Sequence, residues 1–249
     1  MPIKYLIILI LFFTSMQAKS VTIAVAANVS YAINSIKEAF NKEHPNTKIN
    51  IILGSTGKLV ALIKNGAPYD ILMAADMHYP TALYKDGFAL TKPKVYARGS
   101  LILFSKKRLD LSKGLLVLKD SKVKKIAIAN PKTAPYGKAA IEALKKSKLL
   151  KVVQKKLIYA QSASQAVTYS LKVANLGFIP KSTLYSPLMQ KQKEAKWIEV
   201  DPTLYTPIEQ GATLLPHAKS SSEAQKFYDF LYSKEAKAIF QKFGYSVDE

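Results

Sequence analysis

VTIAVAANVSYAINSIKEAFNKEHPNTKINIILGSTGKLVALIKNG, residues 21–66, changes its periodicity three times. Residues 21–26 are apolar and β-branched, 29–43 place apolar residues at helical spacing, 48–53 are β-rich again, and 57–64 return to a helical pattern. This reads as strand, helix, strand, helix. The alternation continues with YDILMAAD (69–76) as a third strand and PTALYKDG (80–87) as a short helix ended by Gly87. It resumes in SLILFS (100–105), KIAIAN (125–130), the helix GKAAIEALKKSKLL (137–150), KLIYA (156–160), the helix SQAVTYSLKV (164–173) and LGFIP (176–180). A final strand, PIEQGATLL (207–215), precedes one C-terminal helix over 221–244. Alternating units of this kind predict an α/β fold with parallel sheets and right-handed crossovers. No internal repeat and no low-complexity linker separates the halves. The pattern predicts two lobes, a discontinuous lobe I of residues 19–98 and 206–249 and a lobe II of residues 99–205.

The first residues form a separate unit. Lys4 precedes the apolar run YLIILILFF (5–13), and TSMQA follows, ending on the small residue Ala18. This is the pattern of a secretory signal peptide over 1–18, and the run is shorter than the about 20 residues of a spanning helix. The expected compartment is a bacterial periplasm, where no nucleoside triphosphate pool is available. The chain has no cysteine, which removes lipid attachment through cysteine, disulfides, thiol catalysis and cysteine metal sites. What remains after residue 18 is long and apolar enough for proper cores. The net charge of +20 raises the question of nucleic acid, but the lysines are dispersed from Lys37 to Lys242 and only Arg98 and Arg108 are arginines. Base reading favours arginine and aromatic stacking surfaces, so a nucleic-acid partner is not expected.

In open α/β sheets, ligands bind beyond the carboxyl ends of the strands, where helix N-termini present free N–H groups. Four turns stand at such places: ANVS with Asn28 and Ser30, GSTG (54–57), NPKTAPYG (130–137) and QSAS (161–164). Plain helix capping explains small and hydroxyl residues at any one of them. Four turns on two lobes point to a shared cleft. A nucleotide P-loop is excluded, because Gly54 and Gly57 are only three apart and Lys58 is followed by Leu59, so no hydroxyl is placed for a magnesium ion. Lys58 itself reads as a solvated residue of the first helical turn. His44, His78 and His217 fall in no metal or nucleophile motif. Asp70 and Asp76 bracket an apolar strand and read as a turn residue and a helix cap rather than as an acid–base pair. No catalytic residue is assigned.

VAANVSYAINSI (25–36), GSTGKLVALIKNGAPYDILMAAD (54–76), IANPKTAPYGKAAIEAL (128–144) and FYDFLYSKEAKAIFQKFGY (227–245) resemble, in order and across nearly the whole chain, the periplasmic molybdate-binding proteins of ABC importers, the ModA family. The resemblance implies a type II periplasmic binding protein fold, two Rossmann-like lobes joined by two crossover strands and closing over one tetrahedral oxyanion. Carried over residue by residue, it implies ligand contacts at Asn28, Ser55, Thr56, Tyr136 and the backbone near Ala163. The metal would arrive only as the oxyanion, and no cofactor is implied. Some relatives have serine where Asn28 stands, and some have a ligand tyrosine where this chain has Pro180. The implied partners are a small oxyanion and the permease and ATPase of an importer, for a monomeric binding protein.

The chemistry of such a ligand is consistent with the four turns. Molybdate is a fully deprotonated dianion, so its cavity needs only donors, which backbone N–H, hydroxyl and amide groups supply. Hydrogen phosphate carries a proton and needs an acceptor carboxylate, and none occurs in the four turns. The expected ligand is molybdate, with tungstate bound comparably; the alternatives are a receptor for sulfate, which differs mainly in size, or for tungstate alone, a secreted enzyme, or a basic surface binder of anionic polymers.

Overall fold

The computed structural model describes residues 19–106 and 109–248, so the expected signal peptide, residues 1–18, lies outside the described residues. Strand β1 (Lys19–Ala26) is followed by a single 3-10 turn at Ala27–Val29 and then by α1 (Ile33–Glu43). The helix begins four residues later than the apolar spacing from residue 29 predicts, because Ala27–Val29 forms that tighter turn. Ile33, Ile36 and Phe40 form its buried stripe, the spacing of a helix lying on a core. The chain continues through β2 (Thr47–Gly54), α2 (Thr56–Lys64), β3 (Ile71–Met73), α3 (His78–Lys85) and β4 (Lys94–Gly99). After Ser100, β5 (Leu101–Ser105) starts a second sheet, which gains β6 (Ile126–Ala129), α4 (Pro135–Lys146), α5 (Leu150–Val153), β7 (Leu157–Ala160), α6 (Ala163–Lys172), β8 (Leu176–Pro180), α7 (Pro187–Gln190) and β9 (Lys196–Glu199). The chain then returns to the first sheet with β10 (Ile208–Leu214) and closes with α8 (Ser222–Phe230) and α9 (Lys234–Lys242).

The sheets run β2-β1-β3-β10-β4 and β7-β6-β8-β5-β9. They are mixed rather than parallel, which corrects the expectation from the alternating pattern. β1 pairs in parallel with β2 and β3, and β6 with β7 and β8, but β10 is antiparallel to β3 and β4, and β5 to β8 and β9. The antiparallel strands include those that carry the chain from one sheet to the other. A strand arriving from the opposite lobe enters its sheet from the reverse end, so it cannot run with the βαβ strands. The single C-terminal helix expected over 221–244 is likewise two helices. Ser233 breaks it by accepting the Ala236 N–H, a side-chain cap that starts α9.

β1 and β8 sit inside their sheets with both faces covered, and Val21, Ile23, Ala24, Val25, Leu176 and Ile179 are fully buried. One core under the first sheet packs Phe40, Phe227 and Phe240 against β1, and another under the second packs Leu103, Ile128, Leu144 and Phe178. Among the described residues, no helix is long and apolar enough to cross a membrane.

Candidate functional site

The carboxyl ends of β1, β2, β6 and β7 face one another across the two lobes, and each leads, directly or through a short connection, into a helix or 3-10 turn. Asn28 sits in the 3-10 turn after β1, Ser55 and Thr56 at the start of α2, Tyr136 in the first turn of α4, and Ala163 at the first position of α6. All five line one small cavity between the lobes. Its volume, counted as the space open to the centre of a water-sized sphere, is about 10 Å3, close to what one water molecule needs. Three helix N-termini meet there. The first N–H groups of a helix have no intrahelical partner, and Pro135 at the start of α4 leaves Tyr136 as the first donor of its turn.

Capping and ligand binding now separate. Ser162 caps α6 in the ordinary way, its side chain accepting the Gln165 N–H at 3.2 Å. Ser55 occupies the same position on α2 but makes no capping bond. Its hydroxyl is buried and has no hydrogen-bond partner among the described residues. The Thr56 hydroxyl accepts the Ala75 N–H at 3.1 Å, which leaves its own hydrogen to donate. A buried polar group without a partner carries a penalty of about 1–3 kcal/mol, and the Ser55 hydroxyl, which lines the cavity, keeps its hydrogen free to donate.

Gly57 serves a different purpose from a phosphate cradle. Its N–H donates across the lobes to the Thr133 carbonyl at 2.9 Å. A Cβ there would lie 3.0 Å from the Thr133 Cα and 2.7 Å from the Tyr79 hydroxyl, which itself donates to the Lys132 carbonyl at 2.9 Å. Glycine is needed because the backbone of lobe II comes that close. Lys58, one residue on, reaches Gln161 Oε1 at 2.9 Å on the exposed rim, and it does not line the cavity.

Asn28 lies on the cavity, but both hydrogens of its amide are engaged, by Gln210 Oε1 at 2.8 Å and the Tyr245 hydroxyl at 3.1 Å. The Asn28 carbonyl accepts from Tyr245 at 2.8 Å and from Ser182 at 3.0 Å. Sequence reasoning missed Gln210, Tyr245 and Ser182. A glutamine inside the apolar strand IEQGATL was the available signal for one of them; nothing local announces the other two. Pro180 closes β8 and does not line the cavity. The Tyr136 phenol faces Gln210 at 3.5 Å.

Among the described residues, no carboxylate, ammonium or guanidinium lines this cavity. Burial lifts the Tyr136 and Tyr96 phenols well above their usual range and pushes Tyr245 up to about 12, so all three stay neutral at neutral pH. A larger cleft alongside, about 160 Å3 by the same measure, contains Asp76, Glu142 and Glu209 together with His78 and Lys138. Burial raises the Asp76 carboxyl, against the opposing effects of the Tyr79 N–H, His78 and Lys138. Three carboxyl groups make that cleft a poor seat for an anion. Asp76 accepts the Tyr79 N–H at 3.1 Å, near the start of α3, and Asp70 accepts the Thr22 N–H at 2.7 Å and lies 2.6 Å from His217 Nδ1. Among the described residues no cluster of three or more His, Asp or Glu side chains is arranged to hold a metal ion.

Residues 21–246 match the family described as bacterial extracellular solute-binding protein. The molybdate-binding protein ModA of Azotobacter vinelandii is 35% identical over 233 residues, 93% of this chain and 91% of that protein. Its counterpart from Rhodobacter capsulatus is 34% identical over 235 residues, 93% of this chain and 90% of that protein. The chain belongs to the ModA family of extracellular solute-binding proteins. The solved structure of the Azotobacter vinelandii periplasmic molybdate-binding protein superposes with a TM-score of 0.85 at 29% identity, over 92% of this chain and 100% of that one. This ModA-family chain therefore has the two-lobed type II periplasmic binding protein fold, with antiparallel strands at the points where the chain changes lobe.

Proposed function

We propose that the protein is a periplasmic receptor that binds molybdate, and tungstate with it, as the free dianion and delivers it to the permease and ATPase of an ABC importer. It performs no chemistry on the ion. The observation that carries this reading is the Ser55 hydroxyl, buried at a helix N-terminus and, among the described residues, without a partner and in a cavity that no charged side chain lines. A fully deprotonated tetrahedral oxyanion only accepts hydrogen bonds, and this cavity offers donors: the Ser55 and Thr56 hydroxyls and the first-turn N–H groups of α2, α4 and α6 near Thr56, Tyr136 and Ala163. Helix dipoles stabilise such an anion without the desolvation penalty of a buried lysine or arginine. The Asn28 side chain contributes by fixing the turn after β1, since its amide hydrogens are engaged elsewhere. Hydrogen phosphate is disfavoured because no carboxylate is present to accept its proton. Four oxygens need more room than one water, so seating the ion requires the side chains lining the cavity to shift while the lobes keep their contact at Gly57 and Thr133.

The family's relatives support molybdate over sulfate, and the charged start and apolar run of residues 1–18, which have the pattern of a signal peptide, support export to the periplasm, where the receptor would act as a monomer. Calorimetry of residues 19–249 with molybdate, tungstate, sulfate and phosphate tests the reading. The expected outcome is saturable, one-to-one binding of molybdate and tungstate, with sulfate much weaker and phosphate absent. Preferential binding of sulfate or phosphate overturns it.

A further inference from the structure

We infer that Gln210 is a positioning residue for this site, one buried amide that holds the lobe I wall at Asn28 and the lobe II wall at Tyr136 in register. The inference rests on the oxyanion reading of the cavity. Gln210 is fully buried on β10, the strand that returns the chain from lobe II, and the pairing of β10 with β4 shifts register between Gln210 and Gly211. Its Oε1 accepts from Asn28 Nδ2 at 2.8 Å and from the Tyr96 hydroxyl at 3.4 Å. Its Nε2 points to the Tyr136 hydroxyl in a long contact of 3.5 Å. One side chain thus touches the turn after β1, a strand beside the crossing and the first turn of α4.

Gly99 keeps this contact possible. A Cβ on Gly99, at the point where the chain leaves lobe I, would lie 2.0 Å from the Tyr136 hydroxyl and 2.9 Å from Gln210 Nε2. The crossing strand is thus bare where the amide and the phenol meet. A glutamine satisfied in an ordinary core would bond within its own lobe, and an apolar residue would fill that space without any desolvation penalty. Gln210 instead bridges the two walls of the cavity. The phenols around it stay neutral, so the network holds its arrangement across neutral pH.

The role is tested by a double-mutant cycle read in oxyanion affinity. Gln210→Met keeps the volume and removes the amide, and it is combined with Asn28→Ala, with molybdate, tungstate and sulfate as the probes in calorimetry. The expected result is an affinity loss of about tenfold for Gln210→Met in the parent and less than about twofold in the Asn28→Ala background. A merely structural glutamine would lower affinity equally in both backgrounds, and that result, or no loss in either, overturns the proposal while leaving the receptor reading intact. If the parent binds none of the three anions, the receptor reading fails and this one falls with it. Should Gln210→Met not fold, Gln210→Asn, which keeps the amide but shortens its reach by one carbon, takes its place in the same cycle with the same expected pattern.

Discussion

Gly57 donates its N–H to the Thr133 carbonyl across the lobes at 2.9 Å, so the turn that begins helix α2 is also a point where the two lobes meet. Replacing Gly57 by Ala inserts a methyl 3.0 Å from the Thr133 Cα. The two states of the protein should respond in opposite directions. With the lobes apart, alanine favours helix α2 by up to about 1 kcal/mol. With the lobes closed, overpacking costs about 1–3 kcal/mol, so molybdate affinity should fall about tenfold or more. Calorimetry and ligand-free melts together check this, and unchanged affinity with a lowered melting temperature would contradict it.

Ser55→Ala should separate binding from stability in another way. Loss of a charge-assisted hydrogen bond to the dianion costs about 1.5–3 kcal/mol, a drop in affinity of roughly ten- to a hundredfold. Because Ser55 makes no capping bond, the usual cap penalty of about 1 kcal/mol should not appear. The ligand-free variant should melt no lower than the parent. Ser162→Ala, which removes a real cap, is the control and should lower the melting temperature.

Tyr245 gives an alkaline prediction. Its phenol is pushed up to about 12 by burial, while an unfolded tyrosine titrates near about 10. Between these values the unfolded chain has released a proton that the folded chain still holds, so stability falls as pH rises. The stabilisation is fully present below about pH 10 and is lost through about pH 12. Urea unfolding between those limits should show a shallower decline for Tyr245→Phe, and an identical slope would place the phenol outside this linkage.

Salt should act on association and spare dissociation. Lys58 is on the rim and Lys138 in the adjoining cleft, so the large positive charge acts on the anion from outside the cavity. Raising sodium chloride from 0.01 to 1 M shortens the Debye length from about 30 to about 3 Å, and molybdate association should slow several-fold. Dissociation, governed by short hydrogen bonds in a closed cavity, should stay nearly constant in stopped-flow traces. A dissociation rate that climbs steeply with salt would mean that a lysine touches the ion.

Local sequence was enough to place most of the elements and the candidate turns, although it left β4, β9 and α7 unmarked and ran α8 and α9 together. The period of 21–66 placed β1, β2 and α2 within a residue or two, and GSTG, ANVS, APYG and QSAS each carried small or polar residues at a strand end. Those signals are local because periodicity and capping act over a few residues. Tertiary structure alone decided what each turn does. Ser55 and Ser162 occupy the same position before a helix, yet Ser162 is an ordinary cap and Ser55 is left without a partner among the described residues, a difference that residue type and position do not encode. The antiparallel strands arise where the chain changes lobe, a fact that strand composition does not encode. Gln210 and Tyr245 reach Asn28 across 182 and 217 residues of chain. No window of sequence contains such a pair, because contacts of that separation exist only once both sheets have folded and the segment after the last helix has reached the turn that follows β1.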